Sequence, residues 1–192
     1  MKRYSRTETG AAMLGVIAIT LAAMVAAPAE LKAQQSAAGS AMVERGRYLV
    51  GITGCHDCHS PKTAGMTPDL SRALSGRPAT TPLPSATKDE VRASLDLTAW
   101  TGPWGQSVAS NLTPDPATGI GSRYSEASFI QTMRTGKKPN GTAVQPPMPS
   151  EVYQNMTDED LRAIWAYLRT IKPIRNAVLA GLTSPGSETN KP

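Results

Sequence analysis

The chain has few cysteines, few aromatic residues and no dense cluster of basic residues. Of its 192 residues, two are cysteines and 5% are aromatic. Two cysteines exclude a scaffold held together by several disulfides. The formal net charge of +5 is not gathered into a Lys/Arg stripe with interleaved aromatics, so nucleic acid is not expected as a partner. The hydrophobic fraction of 40% is nevertheless enough to bury a core, which excludes a wholly disordered chain.

The sequence also lacks internal repeats and any clear alternation of apolar and polar residues that would indicate a strand. Apolar residues recur instead at helical spacing in three segments, which predicts helices over 42–54, 125–135 and 157–171. Ser125 is the expected N-cap of the second helix. Thr157 is the expected N-cap of the third, with Asp160 completing a capping box. The predicted fold class is therefore all-α, with three or more helices.

Between these helices lies a long segment, 60–124, with little regular periodicity. It contains eight prolines and six glycines, which favour turns over helices or strands. An irregular segment of this length is unusual in a compact domain. We expect it to hold short turns and one helical piece near 88–94, wrapped around a group that orders it.

The N-terminal residues have the pattern of a secretory signal peptide. A basic start is followed by an uncharged apolar run over 11–27 and by small residues at positions suited to cleavage. That run is slightly shorter than the roughly 20 apolar residues that span a membrane. The predicted division is a signal peptide over 1–33, a folded domain over 34–175 and a C-terminal tail over 176–192. The expected location is the periplasm; an uncleaved leader would instead anchor the domain to the membrane, facing the periplasm.

The most informative motif is Cys55-His56-Asp57-Cys58-His59, which has the pattern C-x-x-C-H. Two thiols three positions apart can add to the two vinyl groups of one haem, and the following histidine then lies beneath the iron. This is the c-type haem attachment signature. It predicts one covalently bound haem c, held through Cys55 and Cys58, with His59 as the proximal iron ligand. His56 is expected to be an exposed spacer.

Three other uses of the two cysteines are less consistent with the sequence. A thioredoxin-like dithiol belongs near a βαβ pattern, which is missing here. A zinc site needs four ligands arranged tetrahedrally, and four side chains within five residues cannot all converge on one metal. A structural disulfide across two residues would be strained and would leave His59 unexplained.

The second axial ligand of the iron must come from another residue type, because both histidines of the chain lie in the motif. Methionine is the next choice, since its thioether is a soft ligand that suits Fe(II). Beyond residue 33 the candidates are Met42, Met66, Met133, Met148 and Met156. Met42 and Met66 lie too close to the motif to reach the opposite face of the haem.

Met148 is the predicted distal ligand by elimination. Met133 belongs to the apolar stripe of its helix, and Met156 precedes the Thr157 cap, where it can pack on Leu161 as a hydrophobic staple. Met148 lies outside any periodic segment, between Pro147 and Pro149 in a stiffened loop. A haem with both axial positions filled carries electrons and binds no substrate. The alternative is an open-site haem enzyme or gas sensor.

With these features the chain resembles the class I c-type cytochromes, in which a helix leads into the haem motif and a late Pro-Met loop precedes a C-terminal helix. Three further stretches, 46–50, 111–121 and 156–161, are similar to the cytochrome domains that accompany bacterial periplasmic and membrane-bound dehydrogenases. The resemblance covers about residues 43–175. It implies that the first and last helices cross closely at Gly46, with Tyr48 and Leu49 meeting Trp165 and Leu168.

The resemblance also implies the partners. A dehydrogenase would be the electron donor, and an oxidase or another cytochrome of a respiratory chain would be the acceptor. Cytochrome subunits of dehydrogenases often carry several haem motifs, whereas this chain has one. The expectation is therefore a single-haem carrier rather than an enzyme.

Overall fold

The computed structural model describes the backbone of residues 9–87 and 89–179, and the side chains from residue 31 onward within those ranges. The chain divides into two compact units, 1–41 and 42–192. The first unit is described only as part of a helix, and most of the predicted signal peptide lies outside the described side chains. Among the residues that were described, no helix combines the length and apolar character needed to cross a membrane.

Helices dominate the described residues. Those residues form one short 3-10 helix, Leu70–Arg72, and six α-helices: α1 (Thr9–Ile52), α2 (Cys55–His59), α3 (Ile120–Arg123), α4 (Glu126–Thr135), α5 (Ser150–Tyr153) and α6 (Asp158–Leu168). Three short strands, β1 (Arg92–Ala93), β2 (Ala99–Gly102) and β3 (Gly105–Val108), form one antiparallel sheet in the order β1-β2-β3. The prediction of three or more helices is right, but an all-α description omits this sheet.

The caps of α4 and α6 follow from the residues at their starts. The Ser125 hydroxyl accepts from the Ser128 N–H, and the Ser128 side chain accepts from the Ser125 N–H, which completes a capping box. The Thr157 hydroxyl accepts from the Asp160 N–H at 3.1 Å, as expected of an N-cap. The Asp160 carboxylate pairs with Arg45 at 2.9 Å, so the capping box predicted for α6 is only half formed. This helix ends at Leu168 rather than at residue 171.

The core joins the end of α1 to α4 and α6. Its buried side chains are Leu49, Val50, Leu74, Ile120, Phe129, Ala163, Ile164, Trp165 and Leu168. The rings of Phe129 and Trp165 lie 5.5 Å apart between centroids, in a tilted arrangement typical of packed aromatic pairs. The apolar faces read from the sequence are therefore the faces that pack together.

The crossing of α1 and α6 depends on Gly46. A Cβ atom added there would lie 1.9 Å from the Ala163 carbonyl oxygen and 2.8 Å from the Tyr167 Cβ. The close approach implied by the resemblance is therefore present, and Leu49 shares the buried core with Trp165 and Leu168. Tyr48 does not: it is 55% exposed and lies beneath the Arg45 guanidinium.

The three-stranded sheet corrects the prediction for residues 60–124. Residues 92–93 pair with Thr101 and Trp100 as a strand, so the helical piece expected near 88–94 is wrong. The β2–β3 hairpin turns through Pro103 and Trp104, and Gly105 adopts φ +90°. Proline at the first turn position and glycine at positive φ are usual turn choices. Strands of two to four residues are too short to show the alternation that identifies a strand in sequence.

The chain continues to pack against the fold at residues 176–179, where the predicted C-terminal tail begins. The Asn176 amide donates to the carbonyls of Ser75 and Arg77, at 2.7 and 2.8 Å. Val178 is buried, and its carbonyl accepts from Arg77 Nη1 at 3.0 Å. Residues 180–192 lie outside the described residues.

Candidate functional site

The three reactive residues of the motif lie together on the short helix α2. Gly54 precedes this helix at φ +75°, a left-handed conformation that glycine adopts without strain and that lets the chain turn from α1 into α2. Cys55 and Cys58 are half-buried free thiols, and His59 is buried. The sequence spacing thus becomes a single helical turn that carries two thiols and one imidazole.

The environment of the two thiols does not suit dithiol redox chemistry. Burial raises the pKa of the Cys55 thiol, and it also raises the pKa of the Cys58 thiol. The Cys55 sulfur lies 3.4 Å from the Thr53 hydroxyl. Catalytic thiols of oxidoreductases have a lowered pKa, because the thiolate is the nucleophile. For the zinc alternative, no group of three or more His, Cys, Asp or Glu side chains suited to a metal ion occurs within the described part of the chain.

His59 is oriented as an iron ligand would be. Its Nδ1 lies 2.8 Å from the Ser110 carbonyl oxygen, and because a carbonyl can only accept, Nδ1 carries the proton. The Nε2 atom then keeps its lone pair for a metal. Burial lowers the pKa of His59, against the opposing effect of the Ser110 carbonyl, and so favours the neutral imidazole.

Ser110 was not among the residues singled out from the sequence, and its position depends on two paired segments. The Leu112 N–H donates to the Leu74 carbonyl at 2.8 Å, and the Arg77 N–H donates to the Ala109 carbonyl at 3.0 Å. Asn111 is fully buried and its amide donates to the Ile174 carbonyl at 2.7 Å. These contacts fix the backbone that presents the Ser110 carbonyl to His59.

The other motif histidine is not the exposed spacer that the sequence suggested. His56 is half-buried, and its Nδ1 lies 2.9 Å from the Ser60 hydroxyl. Lys62, also missed in the sequence, donates from Nζ to the carbonyls of His56, Asp57 and Ser60 at 2.6 to 3.2 Å. An ammonium group at these carbonyls satisfies acceptors at the C-terminal end of the short helix, where the His56 carbonyl also accepts from the Ser60 N–H. His56 and Lys62 thus stabilise the motif helix.

Met148 lies half-buried in the loop between α4 and α5. Its N–H donates to the Gln145 carbonyl at 3.3 Å, and its carbonyl accepts from the Ser150 N–H at 2.9 Å. The Ser107 hydroxyl of β3 donates to the Pro146 carbonyl at 2.6 Å. The loop that carries Met148 is therefore held by the sheet that the sequence did not predict.

Tyr153 connects this loop region to the haem motif. It is buried at the end of α5, and its hydroxyl donates to the Thr53 carbonyl at 2.7 Å, two residues before Cys55. Burial raises the pKa of Tyr153 to about 12, so the hydroxyl keeps the proton that it donates. Motif and methionine loop, which are far apart in sequence, are joined through this contact.

The remaining candidate methionines have other environments. Met42 and Met66 are 44% and 51% exposed. Met133 and Met156 are partly buried and pack against the core, as the helix pattern predicted for Met133. Met148 is the half-buried methionine outside that core packing.

The donor set fits a covalently attached haem. Two free thiols lie three positions apart, and a neutral imidazole with a free Nε2 follows directly. Cys55 packs against the apolar core, which offers a dry environment for a large apolar macrocycle. Two thiols and an imidazole at this spacing are the protein ligands that a covalently bound haem c requires.

Comparison with known proteins points in the same direction. The chain is 32% identical over 136 residues to a nicotinate dehydrogenase subunit of Pseudomonas putida, covering 71% of this chain and 9% of that protein. It is 31% identical over 143 residues to the cytochrome c subunit of a quinone alcohol dehydrogenase of Gluconacetobacter polyoxogenes, covering 74% and 25%. It is 33% identical over 141 residues to the gluconate 2-dehydrogenase cytochrome c subunit of Pantoea cypripedii, covering 73% and 26%.

This chain thus aligns with about a quarter or less of the length of these relatives. No family model matches it. The resemblance to c-type cytochromes that accompany bacterial dehydrogenases is confirmed by these similarities, whereas the number of haems stays a prediction.

Proposed function

We propose that this chain, a c-type cytochrome related to those that accompany bacterial dehydrogenases, is a periplasmic electron carrier with the cytochrome c fold and one covalent haem c. In this proposal residues 34–175 form the cytochrome domain, after a signal peptide over 1–33. Cys55 and Cys58 hold the haem, and His59 and Met148 are the axial ligands. When bound, the haem iron supplies one-electron exchange between Fe(II) and Fe(III).

The observation that carries the proposal is the hydrogen bond from His59 Nδ1 to the Ser110 carbonyl. It selects the tautomer with a free Nε2 and fixes the ring plane, which is the role of an outer-shell acceptor in metal sites. Met148 would supply the soft thioether that favours the reduced iron. With both axial positions filled, the chain would bind no substrate at the metal.

The proposed partners follow from the relatives. A dehydrogenase would donate the electron, and an oxidase or a further cytochrome of a respiratory chain would accept it. The names of two relatives describe cytochrome c subunits of dehydrogenases, which supports the donor.

Covalent attachment is tested by mass spectrometry of the mature protein under denaturing conditions. The expected mass is that of the polypeptide plus one haem, and acid–acetone extraction should leave the haem on the protein. The Cys55→Ser/Cys58→Ser double variant should release all of its haem, because no thioether bonds can form. A mass without haem in the wild type, or with two haems, would contradict the proposal.

The two histidines of the motif provide a matched pair for the proximal ligand. His59→Gln is expected to abolish the low-spin absorption spectrum of the reduced protein, because the imidazole ligand is lost. His56→Gln is expected to retain that spectrum, with a loss of stability of about 1 kcal/mol from its hydrogen bond to Ser60. Equal spectra for the two variants would remove His59 from the iron.

A further inference from the structure

The β2–β3 hairpin contacts the methionine loop through a chain of two hydrogen bonds. Trp104 lies in the turn, and its ring folds over Gly102, where an added Cβ would come within 2.6 Å of the ring. The Trp104 Nε1–H donates to the Ser107 hydroxyl at 3.2 Å, and that hydroxyl donates to the Pro146 carbonyl at 2.6 Å. The contact reaches across 39 residues of sequence to a point two residues before Met148.

The direction of this relay is fixed by the chemistry of its members. An indole N–H can only donate, and a serine hydroxyl has one proton. Because the Ser107 oxygen accepts from Trp104, its proton is free to point at Pro146. Hydrogen bonds in such a chain polarise one another and strengthen the last contact.

Within the loop, one backbone hydrogen bond closes a turn around Pro146. Pro147 has no N–H, and the backbone bonds nearby join Met148 to Gln145 and Ser150 to Met148. On its other side the loop leads into α5, where Tyr153 is tied to Thr53. Met148 therefore lies between two anchored residues, Pro146, which is held by Ser107, and Tyr153, which is held by Thr53. Pro146 is the closer of the two to Met148 in sequence.

From this arrangement we infer that Ser107, oriented by Trp104, is a positioning residue that keeps the Met148 sulfur on the haem iron. The inference rests on the proposed function, since it requires Met148 to be the distal ligand. Ser107 does not contact the iron; it limits how often the loop moves away and exposes the metal to an external ligand.

The test is the rate at which the reduced, haem-loaded protein binds carbon monoxide, together with its redox potential. Ser107→Ala should bind carbon monoxide roughly three- to tenfold faster than the wild type, the factor expected for loss of one hydrogen bond. Its redox potential should fall, because the thioether is bound less of the time. Trp104→Phe, which keeps a ring but removes the N–H, should shift both quantities in the same direction by less.

Two controls separate positioning from general stability. Ser107→Thr keeps the hydroxyl and should behave as the wild type. Gln106→Ala changes an exposed side chain of the same strand and should leave the carbon monoxide rate unchanged. Pro146 is exposed, so water can satisfy its carbonyl in Ser107→Ala and the free energy of unfolding should change little.

Met148→Ala distinguishes the failure of this inference from the failure of the proposed function. If Met148→Ala binds carbon monoxide readily but Ser107→Ala keeps the wild-type rate and potential, Met148 is the ligand and Ser107 does not position it. If Ser107→Thr is as fast as Ser107→Ala, the hydroxyl is not the cause and the inference is wrong. If Met148→Ala binds as slowly as the wild type, the proposed ligand is wrong, and the inference is overturned with it.

Discussion

Replacing Met148 with alanine is expected to convert a closed haem site into an open one. The reduced wild type should resist carbon monoxide at neutral pH, whereas reduced Met148→Ala should bind it readily. The redox potential of the variant should also fall, because the thioether stabilises Fe(II) relative to Fe(III). Both changes follow from the loss of a single sulfur from a loop that otherwise stays in place.

The size of the effect follows from how often the iron is open. If the thioether leaves the iron free for about 1% of the time or less, the apparent carbon monoxide affinity of the wild type is reduced to that fraction of its intrinsic value, and the variant should bind about 100-fold more tightly. The loop is tethered at Pro146 and through Tyr153, so a small open fraction is expected. Carbon monoxide titration of the reduced proteins, followed by absorption, measures the ratio.

Met156→Ala is the matched control. Met156 is partly buried against the core, so its truncation should cost about 1–2 kcal/mol of unfolding free energy while the iron stays closed. An unchanged potential and affinity in Met148→Ala would contradict His/Met ligation. A wild type that takes up carbon monoxide at once would favour the open-site enzyme or gas sensor instead.

Features that are local in sequence were predicted well. The caps at Ser125 and Thr157 depend on contacts within three residues, and each hydroxyl accepts the expected N–H. The motif is also local, since Cys55, Cys58 and His59 lie within five residues on one short helix, although their role as haem ligands stays a prediction. Such features are readable because their partners lie within one turn of the chain.

Features that depend on distant partners were missed. The acceptor that orients His59 is a backbone carbonyl 51 residues away. Every residue type has such a carbonyl, so the sequence does not identify this one. The hairpin that tethers the methionine loop has strands of four residues, too short for a periodic pattern. The prediction that His56 is exposed is wrong for the same reason. His56 contacts Ser60, and Ser60 is buried only in the tertiary fold, where it accepts from the Leu74 N–H.

Gly46→Ala is expected to destabilise the protein by about 3 kcal/mol, the upper part of the range for overpacked sites. In an isolated helix the same change would stabilise by about 1 kcal/mol, because glycine is the poorer helix former. Here the new methyl group would lie 1.9 Å from the Ala163 carbonyl oxygen, so α1 and α6 would have to separate. Their separation would loosen the core to which Leu49 and Trp165 both belong.

Gly51→Ala in the same helix decides whether the helix crossing is the cause. An added Cβ at Gly51 meets nothing within 4 Å, so this variant should gain about 0.5–1 kcal/mol from helix propensity alone. Urea unfolding of the haem-loaded proteins should therefore move the midpoint down for Gly46→Ala and up for Gly51→Ala. The same shift in both variants would mean that the propensity of α1, and not its contact with Ala163, controls stability. Opposite shifts would establish that the close approach of the two helices requires a residue without a side chain at position 46.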